Sequence, residues 1–211
     1  MAVSSFSFLG PMQIIAGKFK GRRIPFNNRK QGNARVTSDF VKKAVFTSLG
    51  EHLHDKSFLD LFSCSGQIGL EACSRGATVV MNEPDRKRNR FISELLVQWQ
   101  LQDQITLHTR PAQTLLPQLA RSSSLFDVVY LDPPYHEHFQ NQPMAVAFLD
   151  RVATTPILAP GARIVVQHAA SVSLADCPLP LQRQKKYGDS IVSVFTWNTD
   201  LPHLAIHHPK S

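Results

Sequence analysis

Phe126-Asp127-Val128-Val129-Tyr130-Leu131-Asp132-Pro133-Pro134-Tyr135 is an apolar run that stops at an acid, two prolines and an aromatic ring. The run predicts a buried strand with a stiff tip, because each proline fixes its own φ and biases the residue before it toward extended geometry. Neither proline has an N–H, so carbonyls nearby stay free to accept hydrogen bonds. Taken alone, Asp132 to Tyr135 serves equally well as a plain exit from strand to loop. What surrounds it decides between the two.

Upstream, Ser57 to Phe62 is a second apolar stretch, followed by Ser63-Cys64-Ser65-Gly66-Gln67-Ile68-Gly69 and a helix-like segment, Leu70 to Arg75, stopped by Gly76. Strand, glycine turn and helix in that order let a ligand lie against bare backbone at a helix N-terminus. The turn itself, C-x-G-x-x-G, is a weak match to the dinucleotide pattern. A strand over Thr78 to Met81 then ends at Asn82-Glu83-Pro84-Asp85, where a carboxylate can accept both hydroxyls of a ribose. Glu83 is the candidate, and Asp85 suits the first turn of the next helix. That helix buries Phe91, Ile92, Leu95, Leu96 and Trp99, while Arg86, Lys87, Arg88 and Arg90 crowd its start.

Ile105 to His108 is a short strand, and Ala112 to Ala120 a short helix begun or interrupted by Pro117. Past Tyr135, His136 to Pro143 predicts a mobile loop beside the site. Met144 to Val152 follows as helix, Pro160-Gly161 as a turn and Ala162 to His168 as a strand. Leu181 to Tyr187 and Ser190 to Trp197 flank Gly188-Asp189, a hairpin that closes one sheet edge. The alternation implies an α/β protein: a mostly parallel, twisted, Rossmann-like sheet with helices on both faces, a C-terminal antiparallel hairpin and a small N-terminal extension. Ligands of such sheets sit beyond the carboxyl ends of the strands, where Asp60, Glu83 and Asp132 converge.

The chain has 211 residues, 43% of them hydrophobic, enough for one domain and an appendage, with a formal charge of +7 that suits a polyanionic partner. Cys64, Cys73 and Cys177 form no CxxC pair and are odd in number, which favours a reducing compartment over a disulfide framework and suggests no metal site. No basic segment precedes the short apolar stretch at the start, and no run approaches a membrane span, so the expectation is a cytoplasmic protein off the membrane. Residues 1–11 are expected to be a disordered leader, 12–53 a basic arm and helix, 54–200 the main domain, and 201–211 a disordered tail whose His203, His207 and His208 lack partnering carboxylates.

The arm carries Lys18, Lys20, Arg22, Arg23, Arg29, Lys30 and Arg35 among Phe19, Phe26 and three glycines. A short hairpin there would offer cations to phosphates and rings to bases, and a solvated charged face is the plainer alternative. Thr37 or Ser38 can cap a helix burying Phe40, Val41, Ala44, Val45 and Leu49, with Lys42 and Lys43 on the opposite face.

A glycine turn after the first strand and D-P-P-Y after the fourth together resemble the amino-methyltransferases that use S-adenosylmethionine. Within that class the chain resembles the RsmD family, which methylates the N2 amine of one guanine in bacterial small-subunit ribosomal RNA. The resemblance runs from Met12 to about Trp197, on Ile14 to Arg23, Arg35-Val36-Thr37-Ser38-Asp39, Phe58 to Ala77, Asp132 to Tyr135 and Tyr187-Gly188-Asp189-Ser190. It implies S-adenosylmethionine with Asp60, Gly66 and Gly69 framing its methionine part, Glu83 at the ribose, Thr37 at the methionine carboxylate, and Phe62, Ser63 and Cys64 also among its contacts. It implies catalysis at Asp132, Pro133, Pro134 and Tyr135, and RNA contacts from Lys18, Lys20, Arg22, Arg23, Arg35 and Lys42, by a monomer acting on an assembling small subunit. Cys64 stands where the family usually has glycine, Ser63 where it has alanine, and Pro111 near an expected adenine-contacting Asp or Asn, leaving Thr109 or a backbone group for that contact. Two other functions fit parts of the pattern: DNA adenine-N6 methylation, for which the chain has no long insertion to read DNA, and a catalytically silent RNA-binding assembly factor. A nicotinamide-dependent dehydrogenase would explain the glycine turn but not D-P-P-Y.

Overall fold

The structure is a computed structural model that describes residues 12–32 and 37–198. Arg35, the expected leader and the expected C-terminal tail lie outside the described residues. In chain order the elements are α1 (Asn28–Gln31), α2 (Asp39–Leu49), β1 (Ser57–Asp60), α3 (Gln67–Ser74), β2 (Thr78–Asn82), α4 (Arg86–Trp99), β3 (Ile105–His108) and α5 (Ala112–Arg121). They continue with β4 (Phe126–Leu131), β5 (His138–Phe139), β6 (Gln142–Pro143), α6 (Met144–Thr154), β7 (Leu158–Ala169), β8 (Leu181–Tyr187) and β9 (Ser190–Thr196).

Seven strands form one sheet in the order β3-β2-β1-β4-β7-β9-β8. The five strands from β3 to β7 pair in parallel, and β9 and β8 add antiparallel at the far edge. The strand order reverses between β1 and β4, which opens a crevice at their carboxyl ends. Side chains alternate between two cores, as a pleated strand requires. Phe58, Met81, Val128, Tyr130, Val165 and Val194 face the cluster built with α2, α3 and α4. Leu59, Leu61, Val129, Leu131, Ile164 and Phe195 face the cluster built with α5 and α6. Pro117 sits inside α5 without ending it, because it lies on the exposed side, where the carbonyl it leaves unbonded meets water.

The arm folds back as an irregular hairpin, with Gln13 bridged antiparallel to Arg23 and Ile24 N–H donating to Met12 O at 2.8 Å. Ile14, Phe19 and Ile24 are buried in the same core as α2, α3 and α4. Glu71 of α3 accepts from Ile15 N–H at 2.7 Å and Ala16 N–H at 3.0 Å, and Ser74 O accepts from Lys18 N–H at 2.7 Å. Gly17, at φ +81°, lies so close to α3 that a Cβ there would stand 1.8 Å from Ser74 O.

Several expectations are corrected. Phe19 is buried and Phe26 packs edge-on against Phe91 at 5.3 Å, so neither ring is presented to a base. Ser38 caps α2 through Val41 N–H, but the buried face is Val41, Lys42, Val45, Phe46 and Leu49, with Phe40 69% exposed and Ala44 half-buried. The helix is rotated from the expected face because Lys42 turns inward to a polar socket. Its Nζ donates to Gln13 O and lies 3.1 Å from Asp39 and 4.0 Å from Glu71. Lys42 is therefore a fastener of the arm, not an RNA contact. His136 to Pro143 contains a small β5–β6 hairpin turning at Gln140 and Asn141, both at positive φ. Pro160-Gly161 is a bulge within β7 rather than a turn before it, since Phe126 pairs with Leu158 and Val128 with Arg163.

Candidate active site

The crevice at the carboxyl ends of β1, β2 and β4 is a cavity of about 950 Å³. Its wall includes Thr37, Asp60, Phe62, Ser63, Cys64, Glu83 and Asp132 to Tyr135. Residues separated by almost a hundred positions meet there because each sits at a strand end or the turn just after it.

The β1–α3 turn folds on its glycines. Gly66 stands at φ +78° directly before α3, a conformation that costs other residues about 1–2 kcal/mol. Gly69 packs α3 onto β2: a Cβ there would meet Met81 Sδ at 2.7 Å. Neither glycine contributes to the cavity wall; they shape the turn and bring α3 close to β2. Cys64 takes a positive φ of 51° without being glycine, a local strain of about 1–2 kcal/mol that the surrounding turn holds in place. Burial pushes its thiol up to about 12.

Asp60 is fully buried, and Gly69 N–H donates to its Oδ2 at 3.1 Å. Burial pushes its carboxyl up to about 7, with the charges of Asp132 and Glu83 adding to the rise. Asp60 Oδ1, Ser65 Oγ and Gln67 Oε1 are buried on this wall with no hydrogen-bond partner among the described residues. Buried acceptors without partners are costly, and three on one wall suit a ligand that brings an ammonium or hydroxyl donors. Glu83 Oε1 accepts from Asp85 N–H at 2.8 Å and pairs with Arg88 Nη2 at 3.2 Å, while burial raises its carboxyl above the ordinary range. Asp85 caps α4 through Lys87 and Arg88 N–H, the plainer of its two roles.

Asp132 is partly exposed beside the buried Pro133. Thr37 Oγ1 donates to Asp132 Oδ2 at 3.0 Å, and Gln67 Nε2 donates to Thr37 O at 2.8 Å. Tyr130, one residue-pair back along β4, buries its ring and donates to Gln167 Oε1 at 2.9 Å. Sequence reasoning passed over Gln67, Arg88, Tyr130 and Asp189, all of which line the cavity. Tyr130 carried a usable signal, since a tyrosine inside an apolar strand needs a polar partner for its hydroxyl. Arg88 was hidden among four cations. Thr109 and Pro111 do not line the cavity, and Pro111 precedes α5 as its cap.

Lys18, Lys20, Arg22 and Arg23 are exposed on the arm. The Arg22 guanidinium stacks 5.3 Å from Phe19 and 5.1 Å from Trp99. Among the described residues no helix is long and apolar enough to cross a membrane, and no cluster suited to a metal ion occurs.

The fold is that of class I methyltransferases. An RNA methyltransferase from Salinibacter ruber, solved with S-adenosyl-L-homocysteine, superposes with a TM-score of 0.60 at 15% identity over 80% of this chain and 97% of that one. A hypothetical protein from Thermus thermophilus gives a TM-score of 0.71 at 25% identity, over 86% of this chain and 97% of that one. Ribosomal RNA small subunit methyltransferase D of Haemophilus influenzae is 33% identical over 65% of this chain and 70% of its own length. Its counterpart in Buchnera aphidicola is 32% identical over 64% of this chain and 67% of its own. The family described as conserved hypothetical protein 95 matches residues 12–196. Because that match runs unbroken from the arm through the β1–α3 turn to the closing hairpin, the chain belongs to this family, the RsmD family of methyltransferases.

Proposed function

We propose that this protein transfers a methyl group from S-adenosylmethionine to the exocyclic N2 amine of a guanine in small-subunit ribosomal RNA. The observation that carries the proposal is the Asp132 carboxylate, braced by Thr37 on the wall of the same cavity that holds the partnerless acceptors of Asp60, Ser65 and Gln67. Relatives named as ribosomal RNA small subunit methyltransferase D supply the substrate class.

S-adenosylmethionine, when bound, supplies an electrophilic methyl on a sulfonium sulfur. Asp60, Ser65 and Gln67 would hold its methionine part, with Phe62, Ser63 and Cys64 beside them, and Glu83 would accept from its ribose. The guanine amine is a poor nucleophile because its lone pair is delocalised into the ring. Asp132 Oδ and the Pro133 carbonyl, each accepting one N–H, would hold that nitrogen toward tetrahedral geometry and stabilise the positive charge it gains. Tyr135 would stack on the base, which must leave its helix or loop to enter the cavity. The proton lost from the methylated nitrogen can pass to Asp132 or to water, so Asp132 need not be a strong base. Lys18, Lys20, Arg22 and Arg23 would grip phosphates. We further propose a cytoplasmic monomer acting on an assembling small subunit.

The test gives purified protein methyl-labelled S-adenosylmethionine with small-subunit RNA, assembling particles or duplex DNA, and maps the labelled nucleotide. Label at one guanine N2, abolished by Asp132→Ala with cofactor affinity retained, is the expected result. Label on DNA adenine, or no cofactor binding by calorimetry, would overturn it in favour of a DNA enzyme or a silent assembly factor.

A further inference from the structure

Phe40 is 69% exposed at the start of α2, where the helix meets the cavity rim three residues after Thr37. Its ring meets Tyr187 edge-on, with centroids 5.5 Å apart and planes at 75°. Tyr187 ends β8, and Lys185 Nζ lies 5.6 Å from its ring centroid. The β8–β9 register pairs Tyr187 with Ser190, Lys185 with Val192 and Arg183 with Val194. Paired residues share a sheet face, so Arg183, Lys185 and Tyr187 lie in one row on the α2 side, where Val192 and Val194 enter the core. Strand β8 is the outer edge of the sheet, and Arg183 and Lys185 are exposed. The row points at the cavity: two residues past Tyr187, Asp189 is part of the cavity wall.

A two-ring step at the lip with cations about 7 Å apart behind it has the make-up of a single-strand nucleic-acid track, in which rings stack on bases and cations pair with phosphates. The positive charge of the row selects a polyanion over an apolar peptide. We infer that this strip binds the single-stranded RNA adjoining the target guanine, with Phe40 stacked on a neighbouring base and Lys185 and Arg183 on the phosphates that follow. The inference rests on the RNA substrate proposed above. It also gives the substrate a handhold on the β8 edge in addition to the arm.

The experiment measures fluorescence anisotropy of the whole protein with a labelled oligouridylate, with small-subunit RNA and with assembling small-subunit particles, across a salt series, alongside methylation of the RNA and of the particles. Phe40→Ala is expected to weaken RNA binding about tenfold and Phe40→Trp to restore it. The Arg183→Ala, Lys185→Ala double variant is expected to reduce the slope of log affinity against log salt by about 1.4. If the wild type methylates RNA but the Phe40→Ala and double variants bind it as the wild type does, the strip is refuted and the proposed function stands. If the variants lose affinity only for ribosomal particles and not for bare RNA, the surface faces protein and the inference is overturned. If the wild type neither binds nor methylates the RNA, bare or within particles, both fall.

Discussion

Thr37 Oγ1 and Asp132 Oδ2, 95 positions apart in the chain, share a 3.0 Å hydrogen bond that ties the entrance of α2 to the tip of β4. The Thr37 hydroxyl donates to Asp132 from the cavity wall, a placement that orients that carboxylate. Thr37→Val, which keeps the shape and loses the donor, should lower kcat about 100-fold through misplacement of the carboxylate, with cofactor affinity unchanged. Thr37→Ser should recover most of it. Loss of cofactor affinity by calorimetry would instead assign Thr37 to the methionine carboxylate.

Asp60 makes stability depend on pH. Its folded pKa of about 7 lies above the ordinary 3.8, so between those values the folded state holds a proton that the unfolded state releases. Its contribution is fully present below about pH 4 and is lost as pH rises toward 7. Asp60→Asn, which keeps an acceptor for Gly69 N–H, should flatten the fall in melting temperature between pH 5 and pH 8. Parallel melting curves for the two proteins would refute the burial-driven shift.

Lys42 and Lys20 separate structure from grip. Lys42→Met takes the donor from Gln13 O and one cation from beside the buried Glu71, and should cost about 1–3 kcal/mol in denaturant unfolding with RNA affinity of the folded protein unchanged. Lys20→Ala should do the reverse, since that side chain is exposed.

Two arm glycines offer a matched comparison. Both have positive φ, but a Cβ on Gly17 would meet Ser74 O at 1.8 Å whereas one on Gly21 would meet nothing. Gly21→Ala should cost about 1 kcal/mol from backbone strain alone. Gly17→Ala should unseat the arm, read as faster amide exchange at Ile14, Lys18 and Ile24. Equal protection in both variants would count against the seating described here.

The strand and helix order was legible because β1, β2 and β4 are apolar runs ending in an acid, and Ile105–His108 and Leu181–Tyr187 appear with the bounds read from their patterns. Asp60, Glu83 and Asp132 were found for the same reason: a carboxylate that ends a buried run is visible in one dimension. The failures share another cause. Whether Lys42 or Phe40 faces inward depends on Gln13 and Glu71, far along the chain, and helical spacing carries no word of either. The turn glycines were visible, but their work against Met81 and Ser74 was not, since close approach belongs to pairs of elements.

The seat of the arm on α3 also sets an order of events during synthesis. Ile15, Ala16 and Phe19 hold partners 55 or 56 positions downstream, at Glu71 and Ser74. At about 5–20 residues per second, the cationic segment emerges roughly 3–11 s before the helix that will hold it. For that interval the newborn chain carries its positive hook undocked.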